Sequence, residues 1–391
     1  MQTKIKISAI ILSIILMLNI SISAFADGDN NTIIVSAEVP AVSAKSVVIL
    51  DADSGQVVFE SSPDEHLPVS YLVKLMTLLL TAEAIDNGKI KFDSKVTTST
   101  SANKMGDPQI WLNVGEQIIV DELLKAITIG NANDACVALA EAIGGTESDF
   151  VSMMNNRAQQ LGMNNTAFIN CTGIEISGQY SCARDIALLS KEILKHDKII
   201  PYMTTWMTDV RNGQTNLVNT NTMVRTYKGI TGLKAATSKE AGNCLAISAK
   251  RNNLHLVCVM LGCNDPKQRF VDAKVLLDYA FSTNQYFNPK LTKDELKDIN
   301  VNGGEEKKVS IRCEDKTGIV ITRGNSKNIK TNIILSEEIQ APVRKGQIVG
   351  EVQFYDGDKL LFKTNIITEK SVNKISIKYC FNKLLDYMLK M

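Results

Sequence analysis

The stretch PVSYLVKLMT, residues 68–77, opens an apolar segment with helical spacing and carries a serine, a tyrosine and a lysine within about one turn. Ser70 lies four positions before Lys74, and Tyr71 lies three positions before it. Residues three or four apart share one face of a helix, so either hydroxyl can approach the lysine. A hydroxyl beside an amine is typical of nucleophilic catalysis. The stretch therefore predicts a helix that begins at an acyl-transfer site, with the identity of any nucleophile left open.

Strand and helix patterns surround this segment. Residues 46–69 predict two strands joined by an Asp-Ser-Gly turn, and several amphipathic helices follow. Residues 242–263 predict a hairpin that turns at Asn252 and Asn253, and a last helix comes after it. Strands, a helical block, further strands and a closing helix indicate an α+β domain over residues 46–285.

The remainder of the chain predicts a second domain and a terminal helix. Residues 290–372 contain short alternating stretches separated by turn residues, which is typical of a small all-β, sandwich-like domain. Residues 375–391 regain helical spacing, and three lysines lie off their apolar face. That face consists of Ile377, Phe381, Leu384, Met388 and Met391. A basic amphipathic helix of this kind can lie on a membrane surface; the alternative is a helix packed on the β domain.

The N-terminus has the features of an export signal. Two lysines precede the apolar run over residues 7–23, and residues 24–26 read Ala-Phe-Ala. We therefore predict a signal peptide over residues 1–26 and a disordered lead-in over residues 27–45. The alternative is an uncleaved N-terminal anchor, which Asn19 and the serines in the run disfavour. The mature protein is expected at the outer face of a bacterial cytoplasmic membrane or in the cell wall.

Composition excludes some classes of function. The 43 basic and 42 acidic residues of this 391-residue chain nearly cancel, which argues against a nucleic-acid partner. Most of the eight cysteines lie inside apolar runs, so we expect buried thiols rather than disulfides. No C-x-x-C pair occurs and the three histidines are far apart, so we expect neither a metal site nor a cofactor.

The opening stretch and two further segments together resemble the motifs of a known family. SYLVK (70–74), NAN (131–133) and KAAT (234–237) match the order and spacing of the S-x-x-K, S-x-N and K-T-G elements of penicillin-recognising serine acyltransferases. With flanks such as NDACVALAEAIGG and QRFVDAKVLLDYAF, residues 40–285 strongly resemble the D-alanyl-D-alanine carboxypeptidases among the low-molecular-mass penicillin-binding proteins. The resemblance implies a penicillin-binding-protein/β-lactamase-like transpeptidase domain. It also implies cell-wall stem peptides ending in D-alanine as ligands.

The first two motifs depart from the family pattern. The resemblance places Tyr71 at the position of the nucleophilic serine and Lys74 at that of the lysine that takes its proton. Asn131 replaces the serine of the second motif, whereas Asn133 is kept. The bulk of Tyr71 would enter the space where the scissile carbonyl must lie. Ser70 is the alternative nucleophile, but a shift of one residue turns its hydroxyl by about 100° around the helix axis.

The third motif is altered as well. Lys234 is kept, while Ala235 and Ala236 replace the threonine and glycine, and Thr237 follows. The resemblance implies that this strand binds substrate and that Arg269 helps to bind the terminal carboxylate. The alternative for Arg269 is a structural ion pair.

Three hypotheses follow from these departures. The first is a catalytically impaired or inactive member of the family that still recognises stem peptides. The second is an active carboxypeptidase that uses Ser70 in a shifted register. The third is a non-catalytic scaffold at the membrane with an idle cleft.

Overall fold

The computed structural model describes residues 39–288, 291, 296–314 and 318–389. Its helices are α1 (Lys74–Asp86), α2 (Thr100–Asn103), α3 (Val120–Thr128), α4 (Asn133–Gly144), α5 (Glu147–Gln160), α6 (Ala183–Ile193), α7 (Ile200–Thr204), α8 (Met223–Thr226), α9 (Gln268–Thr283) and α10 (Ile377–Met388). Its first strands are β1 (Ser46–Asp51), β2 (Val57–Ser61), β3 (Lys95–Thr97), β4 (Gln117–Ile119), β5 (Met207–Val210), β6 (Thr215–Val218), β7 (Ile230–Ser238), β8 (Gly242–Arg251) and β9 (Leu254–Cys263). The later strands are β10 (Asn284–Phe287), β11 (Ile299–Asn302), β12 (Lys308–Val309), β13 (Ile311–Cys313), β14 (Ile319–Thr322), β15 (Ile329–Leu335), β16 (Glu338–Gln340), β17 (Ile348–Asp356) and β18 (Lys359–Thr368).

A five-stranded antiparallel sheet lies at the centre of the first domain, in the order β2-β1-β9-β8-β7. Successive side chains of a strand point to opposite faces, and β1 follows this rule. Val48 and Leu50 pack into the core that the sheet shares with the helical block. Val47 and Ile49 pack on the other face, against α9. The result is an antiparallel sheet covered by helices on both faces, a mixed architecture of helices and strands that agrees with the predicted penicillin-binding-protein-like fold.

Helix α1 is the buried axis of the helical block. Leu75, Met76, Leu78 and Leu79 are all fully buried, so apolar contacts surround the helix rather than forming one stripe. A short 3-10 turn over Ser70–Val73 leads directly into it. This placement carries the first motif into the protein interior, and it confirms the helix predicted from residues 68–77.

The hairpin of β8 and β9 confirms the turn predicted at Asn252 and Asn253. Both asparagines have positive φ angles, 48° and 68°. Asparagine tolerates this left-handed conformation better than most residues do. The hairpin fixes the neighbouring strand β7, which carries the third motif.

The second domain is all-β, as predicted. One sheet has the order β12-β11-β16 and another has the order β13-β18-β17-β15. They share a core that includes Val301, Val352, Phe354 and Ile366. Strand β10 lies before the expected domain boundary at residue 290, yet it pairs with β14 of the second domain. The segment that joins the two domains is therefore itself part of a sheet with the second domain.

The termini differ in part from expectation. The predicted signal peptide and residues 27–38 lie outside the described residues. The last part of the expected disordered lead-in is ordered, because Ser43 donates two hydrogen bonds to the carboxylate of Asp272 and Lys45 N donates to Leu261 O. At the other end, helix α10 begins at Ile377, two residues later than predicted, and ends at Met388. Met391 of the predicted apolar face lies outside the described residues. None of the helices in the described ranges has the length and apolar character needed to cross a bilayer.

All eight cysteines are free thiols, and six of them are buried. Cys313 is half-buried and Cys380 is exposed. This agrees with the prediction that cysteine acts here mainly as a small core residue rather than as half of a disulfide.

Candidate active site

Lys74 is fully buried at the first position of α1. Its Nζ donates to Asn133 Oδ1 at 2.6 Å and to Thr172 O at 2.5 Å. Burial lowers the pKa of Lys74 to about 8. The amine therefore retains the chemistry of a proton acceptor, although its hydrogen bonds go to an amide and a backbone carbonyl.

Tyr71 covers this lysine. The Nζ of Lys74 lies 4.1 Å from the centroid of the Tyr71 ring, which is a cation–π contact. Burial, aided by Glu175, raises the pKa of Tyr71 above its ordinary value. The phenol is protonated near neutral pH, as an ordinary tyrosine is, and the Lys74 amine lies over its ring.

Ser70 lies away from the cleft. Only 4% of its surface is exposed, and its Oγ has no hydrogen-bond partner in the part of the chain that the structure describes. Its φ angle is 48°, in the left-handed region. A methyl group on Gly173 would overlap the carbonyl oxygen of Ser70, so Gly173 is needed for this close approach. The structure thus brings Tyr71 rather than Ser70 to the cleft surface.

The second motif lies at the start of α4. Asn131 has a φ of 59° and donates through Nδ2 to Thr220 Oγ1 at 3.1 Å. Its buried Oδ1 has no partner among the described residues. Asn133 accepts from Lys74 and donates through Nδ2 to Gly106 O and Asp107 O. Asn133 therefore connects the buried lysine to the loop that forms one wall of the cleft.

Lys234 of strand β7 points into the protein. Its Nζ donates to Ile127 O at 2.8 Å and to Thr128 O at 3.0 Å, at the end of α3. Burial, with a smaller contribution from the charge of Lys74, lowers the pKa of Lys234 to about 7. Lys234 thus lies behind the cleft wall, and Ala235 and Ala236 form the surface of the strand there.

Arg269 extends from α9 to the end of this strand. Its Nη1 donates to Ala236 O at 2.5 Å, Thr237 Oγ1 at 2.9 Å and Cys244 O at 3.3 Å. Its buried Nε has no hydrogen-bond partner, and no carboxylate pairs with this guanidinium, within the described ranges. The alternative of a structural ion pair for Arg269 is wrong for this part of the chain.

The cleft that these residues enclose has a volume of about 190 Å³. The residues that line it come from all three motifs and their neighbours: Tyr71, Pro108, Gly130, Asn131, Thr220, Ala235, Ala236, Thr237 and Arg269. Sequence reasoning missed Thr220 and the contact of Thr172 with Lys74. Neither threonine lies in a recognisable motif, so only the folded chain brings them to the site.

A carboxylate and imidazole cluster lies elsewhere, between α1 and α6. Ligand atoms of Glu83, Glu192 and His196 all lie within 4.8 Å of one another. Arg157 bonds to both glutamates, at 2.7 Å and 2.9 Å, and thereby compensates their charge. The arrangement is that of an ion-pair network.

Comparisons with known proteins give the same picture for both domains. Residues 33–265 match the family described as D-alanyl-D-alanine carboxypeptidase. Residues 285–374 match the family described as penicillin-binding protein 5, C-terminal domain.

Individual relatives match along most of the chain. D-alanyl-D-alanine carboxypeptidase DacF of Bacillus subtilis is 36% identical over 366 residues, which is 92% of this chain and 92% of that protein. DacC of Escherichia coli is 30% identical over 362 residues, 90% of each chain. The crystal structure of penicillin-binding protein 5 from Haemophilus influenzae aligns with a TM-score of 0.77 at 28% identity, covering 86% of this chain and 99% of that one. In sequence and in fold, the chain belongs to the D-alanyl-D-alanine carboxypeptidase family of low-molecular-mass penicillin-binding proteins.

Proposed function

We propose that this protein recognises cell-wall stem peptides ending in D-alanine and does not cleave them. The observation that carries the proposal is the position of Tyr71 over Lys74, with Nζ 4.1 Å from the ring centroid. An acyl-transfer site needs a hydroxyl within hydrogen-bond reach of its base. Here the base lies against the face of the Tyr71 ring. Burial raises the pKa of the phenol above its ordinary value, which further disfavours the phenolate that would act as a nucleophile.

The polar groups at the cleft support retained binding. Asn131 Oδ1 and Arg269 Nε are buried, and neither has a hydrogen-bond partner in the described chain. A peptide amide can satisfy the first, and the guanidinium of Arg269 attracts a terminal carboxylate. Lys234 supplies no second cation at the cleft surface, because its Nζ donates to two backbone carbonyls. With one cationic donor and a small cleft, affinity should be millimolar at best, or only about 4 kcal/mol of binding free energy.

An active carboxypeptidase that uses Ser70 is the second candidate. The names of the relatives favour it, as does the Ser70 hydroxyl, which lacks a partner among the described residues. The burial of Ser70 counts against it, and Ser70 is not among the residues that line the cleft. A third candidate is a non-catalytic scaffold whose cleft binds no ligand, and it would be favoured if no peptide bound.

The same proposal includes a place in the cell envelope. The N-terminal signal features predict export. The terminal helix α10 carries exposed apolar side chains beside Lys378 and Lys383, which suits the outer surface of the cytoplasmic membrane.

Labelling with a fluorescent penicillin tests the absence of catalysis. The purified mature protein should take up no covalent label, since acylation needs a working nucleophile, while an active relative treated in parallel should label. Stoichiometric labelling would overturn the proposal. If that labelling disappeared in Ser70→Ala, the shifted-serine candidate would stand in its place.

Titration with a peptide ending in D-Ala-D-Ala tests the retained binding. We expect a weak, saturable calorimetric or chemical-shift response without release of D-alanine. Arg269→Ala should abolish it, and a peptide ending in L-Ala-L-Ala should not produce it. An equal response to both peptides, or none to either, would favour the scaffold.

A further inference from the structure

Trp111 is a large aromatic residue in an unusual position. Its side chain is 61% exposed, and its φ angle is 56°. A left-handed backbone is rare for bulky residues and persists only where the surroundings enforce it. Such strain at an exposed aromatic residue suggests a function for the ring.

Buried groups on α4 enforce this conformation. The carboxylate of Asp134 accepts hydrogen bonds from the backbone N–H groups of Ile110 and Leu112, the two neighbours of Trp111. Arg211 donates to Ile110 O at 2.9 Å. The side chains of Ile110 and Leu112 are buried, so the indole between them is held outward on a rigid loop.

The same loop forms part of the cleft. Asn133 N donates to Pro108 O at 2.7 Å, and Pro108 lines the cleft three residues before Trp111. Asn133 also bonds to Lys74. The backbone that carries Trp111 is therefore fixed relative to the motif residues by a continuous set of hydrogen bonds.

Amide side chains flank the indole along the chain. Gln109 is half-buried at the surface, and Asn113 is exposed. Asn113 Nδ2 donates to Glu116 at 3.1 Å, and Glu116 in turn pairs with Arg211. An exposed aromatic face between amide groups suits a pyranose ring, which offers an apolar C–H face for stacking and hydroxyls at its rim for hydrogen bonds.

We propose that Trp111 is a stacking site for the sugar rings of a cell-wall glycan, adjoining the peptide cleft. The choice of a cell-wall glycan as the ligand rests on the proposed function, because the glycan and the stem peptide belong to one molecule. A protein partner is disfavoured, because Val114 is the one other exposed large apolar side chain between residues 105 and 120. A stable protein interface needs a larger continuous surface.

Tryptophan fluorescence gives a direct test. The chain has two tryptophans, Trp111 and the half-buried Trp206, so Trp206→Phe leaves Trp111 as the only tryptophan. Titration of that full-length variant with tetra-N-acetylchitotetraose should shift and quench the emission saturably. In an otherwise unaltered chain, Trp111→Gly should weaken calorimetric binding of the tetramer about tenfold or more, and Trp111→Phe should retain part of it.

The Trp111→Gly variant also distinguishes a role of Trp111 in binding from a role in stability. Because glycine adopts positive φ readily, Trp111→Gly should melt no lower than the parent protein. Val114→Ala should bind the sugar as the parent does. Unchanged sugar binding in Trp111→Gly, or a fluorescence response to the D-Ala-D-Ala peptide but not to the sugar, would overturn the proposal.

A further variant keeps this test distinct from that of the proposed function. Arg269→Ala should lose the peptide and keep the sugar. Sugar binding without peptide binding would therefore retain the glycan site even if the peptide proposal failed. Loss of sugar binding in Arg269→Ala would instead show that the glycan site is not independent of the cleft, and would overturn it.

Discussion

Tyr71 and Lys74 lie within one turn of each other. Their geometry is that of a cation–π contact rather than that of a hydroxyl group bonded to the base that takes its proton. The ammonium group lies 4.1 Å from the ring centroid and bonds to Asn133 and Thr172. The lysine keeps the lowered pKa, about 8, that a general base needs. At the scale of single residues, Lys74 thus keeps the lowered pKa of a general base while its amine contacts the ring of Tyr71.

Tyr71→Ser should therefore introduce measurable covalent labelling by fluorescent penicillin. The shorter side chain places a hydroxyl near Lys74 Nζ and opens the cleft. Labelling should be slower than in active relatives, by about a hundredfold or more, because Ala235 and Asn131 still lack the usual hydroxyl donors. Tyr71→Ala is the matched control, since it opens the cleft without supplying a hydroxyl. Equal labelling of the two variants, or none in Tyr71→Ser, would contradict this prediction.

The buried lysines also predict how stability depends on pH. Burial lowers the pKa of Lys234 to about 7 from an ordinary 10.5. Between these values the unfolded state binds more protons than the folded state, so the free energy of unfolding rises with pH. Below about pH 7 both states are protonated, and the full penalty of the buried charge applies.

Lys234→Met should flatten the rise in melting temperature between pH 7 and pH 10. Its absolute stability can fall, because Ile127 O and Thr128 O lose their donor, but the pH slope should decrease. Lys239→Met, in the exposed turn between β7 and β8, is the control and should keep the wild-type slope. Parallel curves for wild type and Lys234→Met would show that the buried amine does not titrate in this range.

Helix α10 is hydrogen-bonded to the β domain on one side and exposes an apolar face on another. Tyr379 Oη donates to Glu305 O at 2.7 Å, and Ile375 N donates to Gly303 O just before the helix. The exposed fractions of Ile377, Phe381, Leu384 and Met388 are 91%, 60%, 61% and 68%. At the scale of elements, the helix touches the β domain while its apolar face does not pack on it.

Deleting the chain from Ile375 onward should abolish flotation of the mature protein with anionic vesicles. Burial of the exposed apolar side chains drives membrane association, and the lysines add attraction to anionic lipid. Phe381→Ala combined with Leu384→Ala in the full-length mature protein should reduce flotation without disturbing the Tyr379 contact. Equal flotation of all three proteins would reject a membrane role for this helix.

The two domains of the molecule are joined through backbone pairing and one glutamine. Gln56 Nε2 donates to Val320 O at 2.7 Å, and Val320 N donates to Gln56 Oε1 at 3.0 Å. Arg323 adds two hydrogen bonds to the end of α9, at Phe281 O and Thr283 O. At the scale of the whole molecule, Gln56 links the β1–β2 hairpin to the second domain. Its side-chain amide bonds to both the N–H and the C=O group of Val320, as the backbone of a neighbouring strand would.

Gln56→Ala should loosen the contact between the domains by about 1–3 kcal/mol, the net worth of two hydrogen bonds. Amide hydrogen exchange at Val320 should accelerate, while exchange in the core of β8 and β9 should stay unchanged. Gln56→Glu keeps the acceptor for Val320 N and should preserve most of its protection. Unaltered exchange at Val320 in Gln56→Ala would show that the pairing of β10 with β14 holds the domains without it.

Local chemistry allowed much of the fold to be predicted. The apolar run after Lys74 specified a buried helix, and Asn252 with Asn253 specified a left-handed hairpin turn. The alternating stretches beyond the junction specified the β domain. These features depend on neighbours within a few residues, so the sequence alone carries them. It also specified the order of the three motifs and therefore the family.

Only the tertiary structure decided what the motif side chains contact. Lys234 was expected at the cleft, yet its amine lies against the carbonyl groups of α3, more than a hundred residues earlier. Thr172 and Thr220 contact motif residues from segments without any motif, and Gly173 admits the Ser70 carbonyl. Such contacts depend on how distant segments pack, because burial and hydrogen-bond partners arise between chain regions that no local pattern relates.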